Sequence, residues 1–257
     1  MALFNLDGKV AIITGASSGL GFSAAKAFAE NGATVALFAR RKVKLDKVVE
    51  EIAAAGGKAA AFECDVTKED QVKASVEKVV QKFGTVHIVV NNAGVAQLGS
   101  VEDLSEEEWD RSMGANVTSI FLMSKYTIPI MRAQKYGKVV NVSSMNALIA
   151  DKGSDLARHA YNTSKAAVRG LTLGMAASYA QYNITVNSVG PGLFESEMTE
   201  NTLFTHEGFM AMYNSLVPAS RPAVKGELNG TLLYLASDAS SYVTGQYIVV
   251  DGGFTIV

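Results

Sequence analysis

Cysteine is almost absent from this chain of 257 residues: Cys64 stands alone. An intramolecular disulfide is therefore excluded, as is any zinc cluster made of cysteines. The three histidines, His87, His159 and His206, are too scattered to suggest a metal site. With four prolines and no Pro/Ser/Gly-rich stretch, nothing divides the chain into linked modules. An excess of one charge is missing too. Lysine and arginine number 23 against 25 acidic residues, a formal net charge of −2, which gives no reason to expect nucleic acid or an anionic membrane as partner. No apolar run reaches the roughly 18 residues of a membrane span. The opening MALFNLDGKVAIITG lacks a basic segment leading into a long apolar one, so no signal peptide is expected. A reducing, cytoplasmic setting fits the single thiol.

What is present is a rhythm. Hydrophobic residues make up 48% of the chain, enough for a sizeable core. The runs KVAIITG, TVALFAR, KAAAFECD, HIVVNNAG, GKVVNVSS, ITVNSVGPG and YIVVDGG are short and nearly continuous in apolar character. That is the pattern of parallel strands covered on both faces. Helical stretches separate them. GFSAAKAFAENG ends on Asn31-Gly32, a good helix stop, and Ser105 with Glu108 has capping-box spacing. Seven strands alternating with about six helices imply one domain over residues 1–257, an open, doubly wound α/β parallel sheet of Rossmann type. The stretch ESEMTENTLFTHEGFMAMYNSLV, about 195–217, interrupts the rhythm as a helical insertion, of the kind that serves as a lid or binding element.

TGASSGLG falls between the first strand and the first helix. Its glycines, Gly15, Gly19 and Gly21, allow a tight turn and let a pyrophosphate approach the backbone without a Cβ in the way. The following helix offers free N–H groups and its positive dipole end to that anion. Gly15, Ser17, Ser18, Gly19, Leu20 and Gly21 are thus the expected phosphate cradle. An NAD-binding unit usually ends its second strand with an acidic residue that holds the ribose 2′-OH. Here Ala39 stands there, followed by Arg40 and Arg41. A carboxylate would repel a 2′-phosphate by roughly 4 kcal/mol per charge pair at about 4 Å and an effective dielectric near 20. A guanidinium binds it through paired hydrogen bonds. The expectation is NADP(H), with Arg40 the main 2′-phosphate contact and Arg41 beside it.

Tyr161 and Lys165, in HAYNTSK, share one helix face at i and i+4. A free phenol, with a pKa of about 10, is too weak an acid to supply a base at neutral pH. A nearby ammonium stabilises the phenolate, and a shift of about three units corresponds to roughly 4 kcal/mol. Ser144, in the NVSSMNA stretch that ends the fifth strand, offers a hydroxyl that can bond a carbonyl oxygen as negative charge develops. Asn116, in GANVTS, is a poor helix former set in a long helix, where its amide could hold a water linking the lysine to solvent.

TGASSGLG, CDVT, NNAG, ANVTS, NVSS, YNTSK, GPG and VDGG occur in the order found in the short-chain dehydrogenase/reductase family, which the chain resembles over essentially its full length. The resemblance implies a catalytic tetrad of Asn116, Ser144, Tyr161 and Lys165. Tyr161 would be the acid/base, Lys165 would lower its pKa and bind the nicotinamide ribose, Ser144 would position the carbonyl, and Asn116 would maintain a proton relay. It also places Asp65 and Val66 near the adenine and Asn92, Ala93 and Gly94 along the cofactor. Pro191, Gly192 and Ser196 would approach the nicotinamide. The implied assembly is a homotetramer joined through the helices of Asn116 and Tyr161 and through the C-terminal strand, an expectation that the small residues of KAAVRGLTLGMAASYA suit.

GPGLFESEMTE and YVTGQYIVVDGGF resemble sugar-acid and polyol dehydrogenases of the gluconate 5-dehydrogenase kind. The implied activity is reversible oxidation of a secondary alcohol to a ketone. A hydroxysteroid or bile acid and a 3-oxoacyl thioester are the enzymatic alternatives, and a dinucleotide-binding redox sensor without turnover is the non-enzymatic one. Two departures stand out. The interval from Ser144 to Tyr161 is longer than the family pattern, through DKGSDLARH, and Gly114 occupies a place where relatives often carry aspartate. Cys64 reads as a core residue, His159 as a solvated loop residue, and Met198, Met210 and Met212 as packing for the insertion.

Overall fold

Alternate residues of β1 (Val10–Thr14) point into two separate apolar layers: Ala11 and Ile13 into one, Val10 and Ile12 into the other. The same alternation runs through β2 (Thr34–Ala39), where Val35 and Leu37 oppose Ala36 and Phe38. A strand buried on both faces must be apolar throughout, and this is what made these runs readable. With β3 (Lys58–Glu63), β4 (Ile88–Asn91), β5 (Gly137–Val142), β6 (Ile184–Pro191) and β7 (Tyr247–Val250), they form one seven-stranded sheet of order β3-β2-β1-β4-β5-β6-β7. All neighbouring pairs are parallel. The computed structural model describes residues 4–153, 156–196, 199 and 204–257.

Helices cover both faces. Apolar residues of α1 (Gly19–Glu30), α2 (Lys42–Ala54) and α8 (Asn229–Ala236) fill one layer, with Phe28, Ile52 and Leu232 among them. Those of α3 (Glu69–Phe83), α5 (Ser119–Ala133) and α6 (His159–Tyr179) fill the other, including Val76, Met123 and Met175. The strand order reverses between β1 and β4, which opens a crevice at the carboxyl ends of the strands.

Helix termini follow the local chemistry. Asn31 caps α1 through its Nδ2, which donates to Ala27 O at 2.8 Å, and Gly32 turns the chain at φ +93. Ser105 and Glu108 form the capping box that starts α4 (Glu106–Met113). The helix does not stop at Met113. A π turn, Gly114–Thr118, carries it into α5. The insertion supplies α7 (Glu207–Leu216), so the described residues hold eight α-helices and exceed the expected six or so. Tyr213 of α7 stacks on Phe254 at 5.4 Å, in a small apolar cluster with Leu193 and Val217 that Met145 and Met210 join. Met212 is exposed, and Met198 lies outside the described residues, as do Ser154 and Asp155 of the lengthened interval.

Candidate active site

Each strand run expected from the sequence ends before its polar or glycine tail, and those tails line the carboxyl edge of the sheet. Thr14 ties the ends of β1 and β4 together. Its Oγ1 accepts from the amides of Asn92 at 2.9 Å and Ala93 at 3.0 Å, while Asn92 Nδ2 donates to Thr14 O at 3.0 Å. Gly15 (φ +66) packs so closely on this junction that a Cβ would lie 2.9 Å from Asn92 Nδ2. A Cβ on Gly21 would overlap both that amide and Gly15 O. These two glycines therefore hold the turn against β4 and leave its outer side open. Ser18, at the N-cap of α1, makes no side-chain cap, and the first turn carries no acidic residue. The unpaired N–H groups and the positive helix end are left for an anion.

A cleft of about 750 Å³ runs from this turn across the sheet edge. Its walls include Ser17, Leu20, Arg40, Arg41, Asp65, Val66, Gly94, Ser144, Tyr161, Lys165, Pro191, Gly192 and Ser196. Gly15, Ser18, Gly19, Asn92 and Ala93 line it as well. Of the residues expected at the site, Gly21 and Asn116 stand behind the wall rather than on it. Arg41 reaches the cradle: its Nη2 donates to Ser17 Oγ at 3.2 Å and Ser18 Oγ at 3.0 Å. Arg40 is exposed at the rim, and its charge bears on Asp65. Burial acts to raise that carboxyl, but bonds from the Thr67 hydroxyl and amide, together with Arg40 and Lys68, hold it below the usual range. A phosphate-bearing dinucleotide fits this set of open N–H groups, hydroxyls and guanidinium groups.

At the other end, α6 delivers Tyr161 and Lys165 one turn apart, with Lys165 Nζ 5.5 Å from the phenol ring centre. Lys165 is only 5% exposed, and its Nζ donates to Val142 O at 3.1 Å. Ser143 Oγ donates to Lys165 O at 2.8 Å, which fixes α6 to the end of β5. Ser144 is buried, and its carbonyl accepts from the hydroxyl of Tyr247 on β7. That ring crosses Gly190, where any Cβ would collide with it.

Asn116 sits in the π turn and is fully buried. Its Nδ2 donates to Val95 O at 3.0 Å and Ser164 Oγ at 2.9 Å, and its Oδ1 accepts from Val95 N at 2.8 Å. The amide is engaged with protein groups. It fastens the π turn to the tail of β4 and to α6. Gly94 lies between the two: a Cβ there would stand 2.7 Å from Asn116 Oδ1 and 3.5 Å from Lys165 Nζ.

The electrostatics also depart from expectation. Burial is the largest influence on Tyr161 and pushes its pKa above the ordinary phenol value. The Ser144 hydroxyl and the Arg158 guanidinium act against that rise, and the Asp151 carboxylate adds to it. Burial likewise lowers Lys165, to about 8. Each group is driven toward its neutral form, because a poorly solvated site disfavours charge of either sign. Stabilisation of the phenolate by a nearby ammonium has this burial to work against.

Other residues were not singled out by sequence. Thr14, Tyr247, Asn146, Asp151, Arg158 and Asn162 all hold site residues or their neighbours in place. All six lie within stretches quoted above, but nothing in those stretches gave them a role. At Gly114, which borders the cleft, a Cβ would meet nothing within 4 Å, so the missing side chain leaves space and relieves no crowding. His159 is exposed at the start of α6, where its Nδ1 accepts from Val101 N at 3.0 Å. Cys64 is buried beside the cleft, and burial raises its thiol to about 11. Among the described residues, no group of His, Cys, Asp or Glu could hold a metal ion, and no helix is long and apolar enough to cross a membrane.

A family profile described as enoyl-(acyl carrier protein) reductase matches residues 15–255. The chain is 40% identical over 251 residues to 3-oxoacyl-[acyl-carrier-protein] reductase FabG of Thermotoga maritima, which covers 98% of this chain and 99% of that protein. A crystal structure of a short-chain type dehydrogenase/reductase from Mycobacterium marinum superposes with a TM-score of 0.93 at 41% identity, covering 99% of this chain and 98% of the other. A gluconate 5-dehydrogenase from Burkholderia cenocepacia, in complex with NADP and tartrate, superposes with a TM-score of 0.94 at 32% identity and covers 100% of both chains. Fold and site together define an oxidoreductase of the nicotinamide-dinucleotide class. Within that class, the chain belongs to the short-chain dehydrogenase/reductase family.

Proposed function

We propose that this protein is an NADP(H)-dependent oxidoreductase that interconverts a secondary alcohol and a ketone, with a sugar acid or polyol as substrate. The observation that carries the reading is the shared cleft, with Tyr161, Ser144 and Lys165 at one end and Arg40 and Arg41 at the other. The bound cofactor supplies or takes the hydride. In the reducing direction, Ser144 Oγ holds the carbonyl oxygen and Tyr161 Oη gives it a proton. In the oxidising direction, the phenolate of Tyr161 takes the alcohol proton, so the rate climbs as pH rises. Lys165, mostly protonated at neutral pH, faces the phenol and the nicotinamide ribose. Asn116 holds the π turn through which the relay passes. Arg40 is the main 2′-phosphate contact, and Arg41 closes over the cradle serines beside it. Gly15, Ser17, Ser18, Gly19, Leu20 and Gly21 seat the pyrophosphate, with Asp65 and Val66 by the adenine. Asn92, Ala93 and Gly94 run along the cofactor, and Pro191, Gly192 and Ser196 lie by the nicotinamide. The segment 195–217 covers the substrate side, a role consistent with α7 packing against Met145 just beyond Ser144.

The 40% identity to a 3-oxoacyl-[acyl-carrier-protein] reductase favours a second reading, reduction of a 3-oxoacyl thioester. One assay separates the two: oxidation of NADPH and NADH is followed with keto sugar acids, ketoses, an oxo-steroid and a 3-oxoacyl thioester. The expected outcome is the highest kcat/KM with NADPH and a keto sugar acid. A preference for NADH rejects the cofactor assignment, and the thioester as best substrate rejects the substrate class.

A cytoplasmic homotetramer, joined through α5, α6 and β7, is part of this reading. Phe121 and Leu173 on those helices are 50% and 57% exposed, and a Cβ on Gly170 or Gly174 would meet nothing within the subunit. Such a smooth apolar face suits the close approach of a second copy. Light scattering should give four times the chain mass, and a monomer at micromolar concentration would refute the assembly.

A further inference from the structure

The interval between Ser144 and Tyr161 is strung on side-chain bonds. Ser144 Oγ donates to Asn146 Oδ1 at 3.3 Å and accepts from Asn146 N at 3.2 Å. Asn146 Nδ2 donates to Asp151 Oδ2 at 3.2 Å, and the same oxygen lies 3.2 Å from Arg158 Nε. Arg158 is the N-cap of α6, where its carbonyl accepts from Asn162 N at 2.8 Å. Asn162 Nδ2 closes the strap by donating to Asn146 O at 3.1 Å and Ile149 O at 2.9 Å. The side chains of Arg158 and Asp151 are 13% and 24% exposed. An ion pair this sheltered contributes little net stability, because desolvation offsets its attraction. Its connection through Asn146 to the Ser144 hydroxyl calls for another account.

We infer that Asn146, Asp151 and Arg158 form a positioning device for the reaction, in which the chain of bonds orients the Ser144 hydroxyl and an ion pair anchors that chain at the N-cap of the helix that carries Tyr161. The inference rests on Tyr161 being the acid/base. The groups facing that phenol are Lys165 on its own helix, Arg158 at the helix N-cap and Asp151 from the strap. Ser144 faces it from the end of β5 and Tyr247 from β7. Of the strap's two charges, Arg158 favours the phenolate and Asp151 opposes it. The added length of this interval thus supplies a second cation, restrained by its own carboxylate.

The test is the pH dependence of kcat for alcohol oxidation in Arg158→Gln, Asp151→Asn and Arg158→Lys, with Tyr161→Phe in parallel. Removing the guanidinium withdraws support from the phenolate, so the rising limb should move to higher pH by about half a unit to one unit. Removing the carboxylate should move it to lower pH by a similar amount, and Arg158→Lys should restore the original position. Damage to packing alone would not move the limb in opposite directions. Limbs that move together, or do not move, overturn the inference, as does failure of the lysine variant to restore. If Arg158→Gln does not fold, the Asp151→Asn limb and the Arg158→Lys rescue decide. Should Tyr161→Phe keep near wild-type turnover, the acid/base reading itself is wrong. Should it lose turnover while the limbs stay put, only the strap inference fails.

Discussion

The two edges of the sheet each carry a tyrosine and a buried lysine, and only one pair faces a cleft. At the carboxyl edge, Tyr161 and Lys165 stand beside Ser144 and the glycine cradle. At the amino edge, Tyr136 and Lys138 flank the start of β5, with Lys9 lying 3.9 Å from the Tyr136 ring centre and His87 edge-on at 5.9 Å. Both lysines are pushed down by burial and both tyrosines are pushed up. The difference is what holds the phenol. Tyr136 Oη donates to Asp238 Oδ1 at 3.0 Å, so its proton is committed to a carboxylate. Tyr161 has the Ser144 hydroxyl as neighbour and open space in front of it. A perturbed titration therefore does not mark an active site by itself. An uncommitted proton at the rim of a cleft does.

The sharpest challenge to that contrast is a pair of tyrosine substitutions. Tyr161→Phe should lower kcat by about 10²–10⁴-fold with cofactor affinity retained, the range expected when a general acid is removed. Tyr136→Phe should leave kcat within about twofold, since its hydroxyl touches no reacting group. Equal losses in steady-state assays would erase the distinction. The lysines give a smaller effect of a different kind. Lys165→Met should reduce kcat by at least about tenfold, whereas Lys138→Met should not. Stability compares them more finely. Because burial depresses Lys165 to about 8, the unfolded chain holds more protons than the folded one between that value and 10.5. Stability must therefore rise with pH across this window, by up to ~3 kcal/mol from Lys165, and Lys138 adds a gain of the same sign. Urea midpoints measured between pH 8 and 10 should show this gain reduced in each methionine variant. An unchanged slope in Lys165→Met would mean the ammonium is better solvated than its 5% exposure implies.

Sequence reading reached the strands because a parallel sheet covered on both faces forces apolar character on every residue. It reached Tyr161 and Lys165 because helical spacing is local. It missed what depends on distant partners. The π turn at Gly114–Thr118 is held by Asn116 bonding Val95 and Ser164, and no periodicity announces those bonds. Tyr247 meets Ser144 only because β7 pairs with β6. Asp151 and Arg158 stood out only as part of a lengthened interval, and the bond from Asn146 to Asp151 with the ion pair from Asp151 to Arg158 was not legible in it. Spacing also conveyed proximity without solvation, which is why burial reversed the expected shift of Tyr161. Arg41 illustrates a milder limit: the arginine pair was legible, but which of the two would lean over Ser17 and Ser18 was not.

The bond from Tyr247 to the carbonyl of Ser144 sets a schedule for the newborn polypeptide. Asn116, Ser144, Tyr161 and Lys165 all leave the ribosome well before the edge strand that completes their surroundings. Until that last strand docks, Gly190 has no ring across it and the serine's carbonyl has no hydroxyl partner. The surroundings of Ser144 are therefore complete only with the edge strand in place.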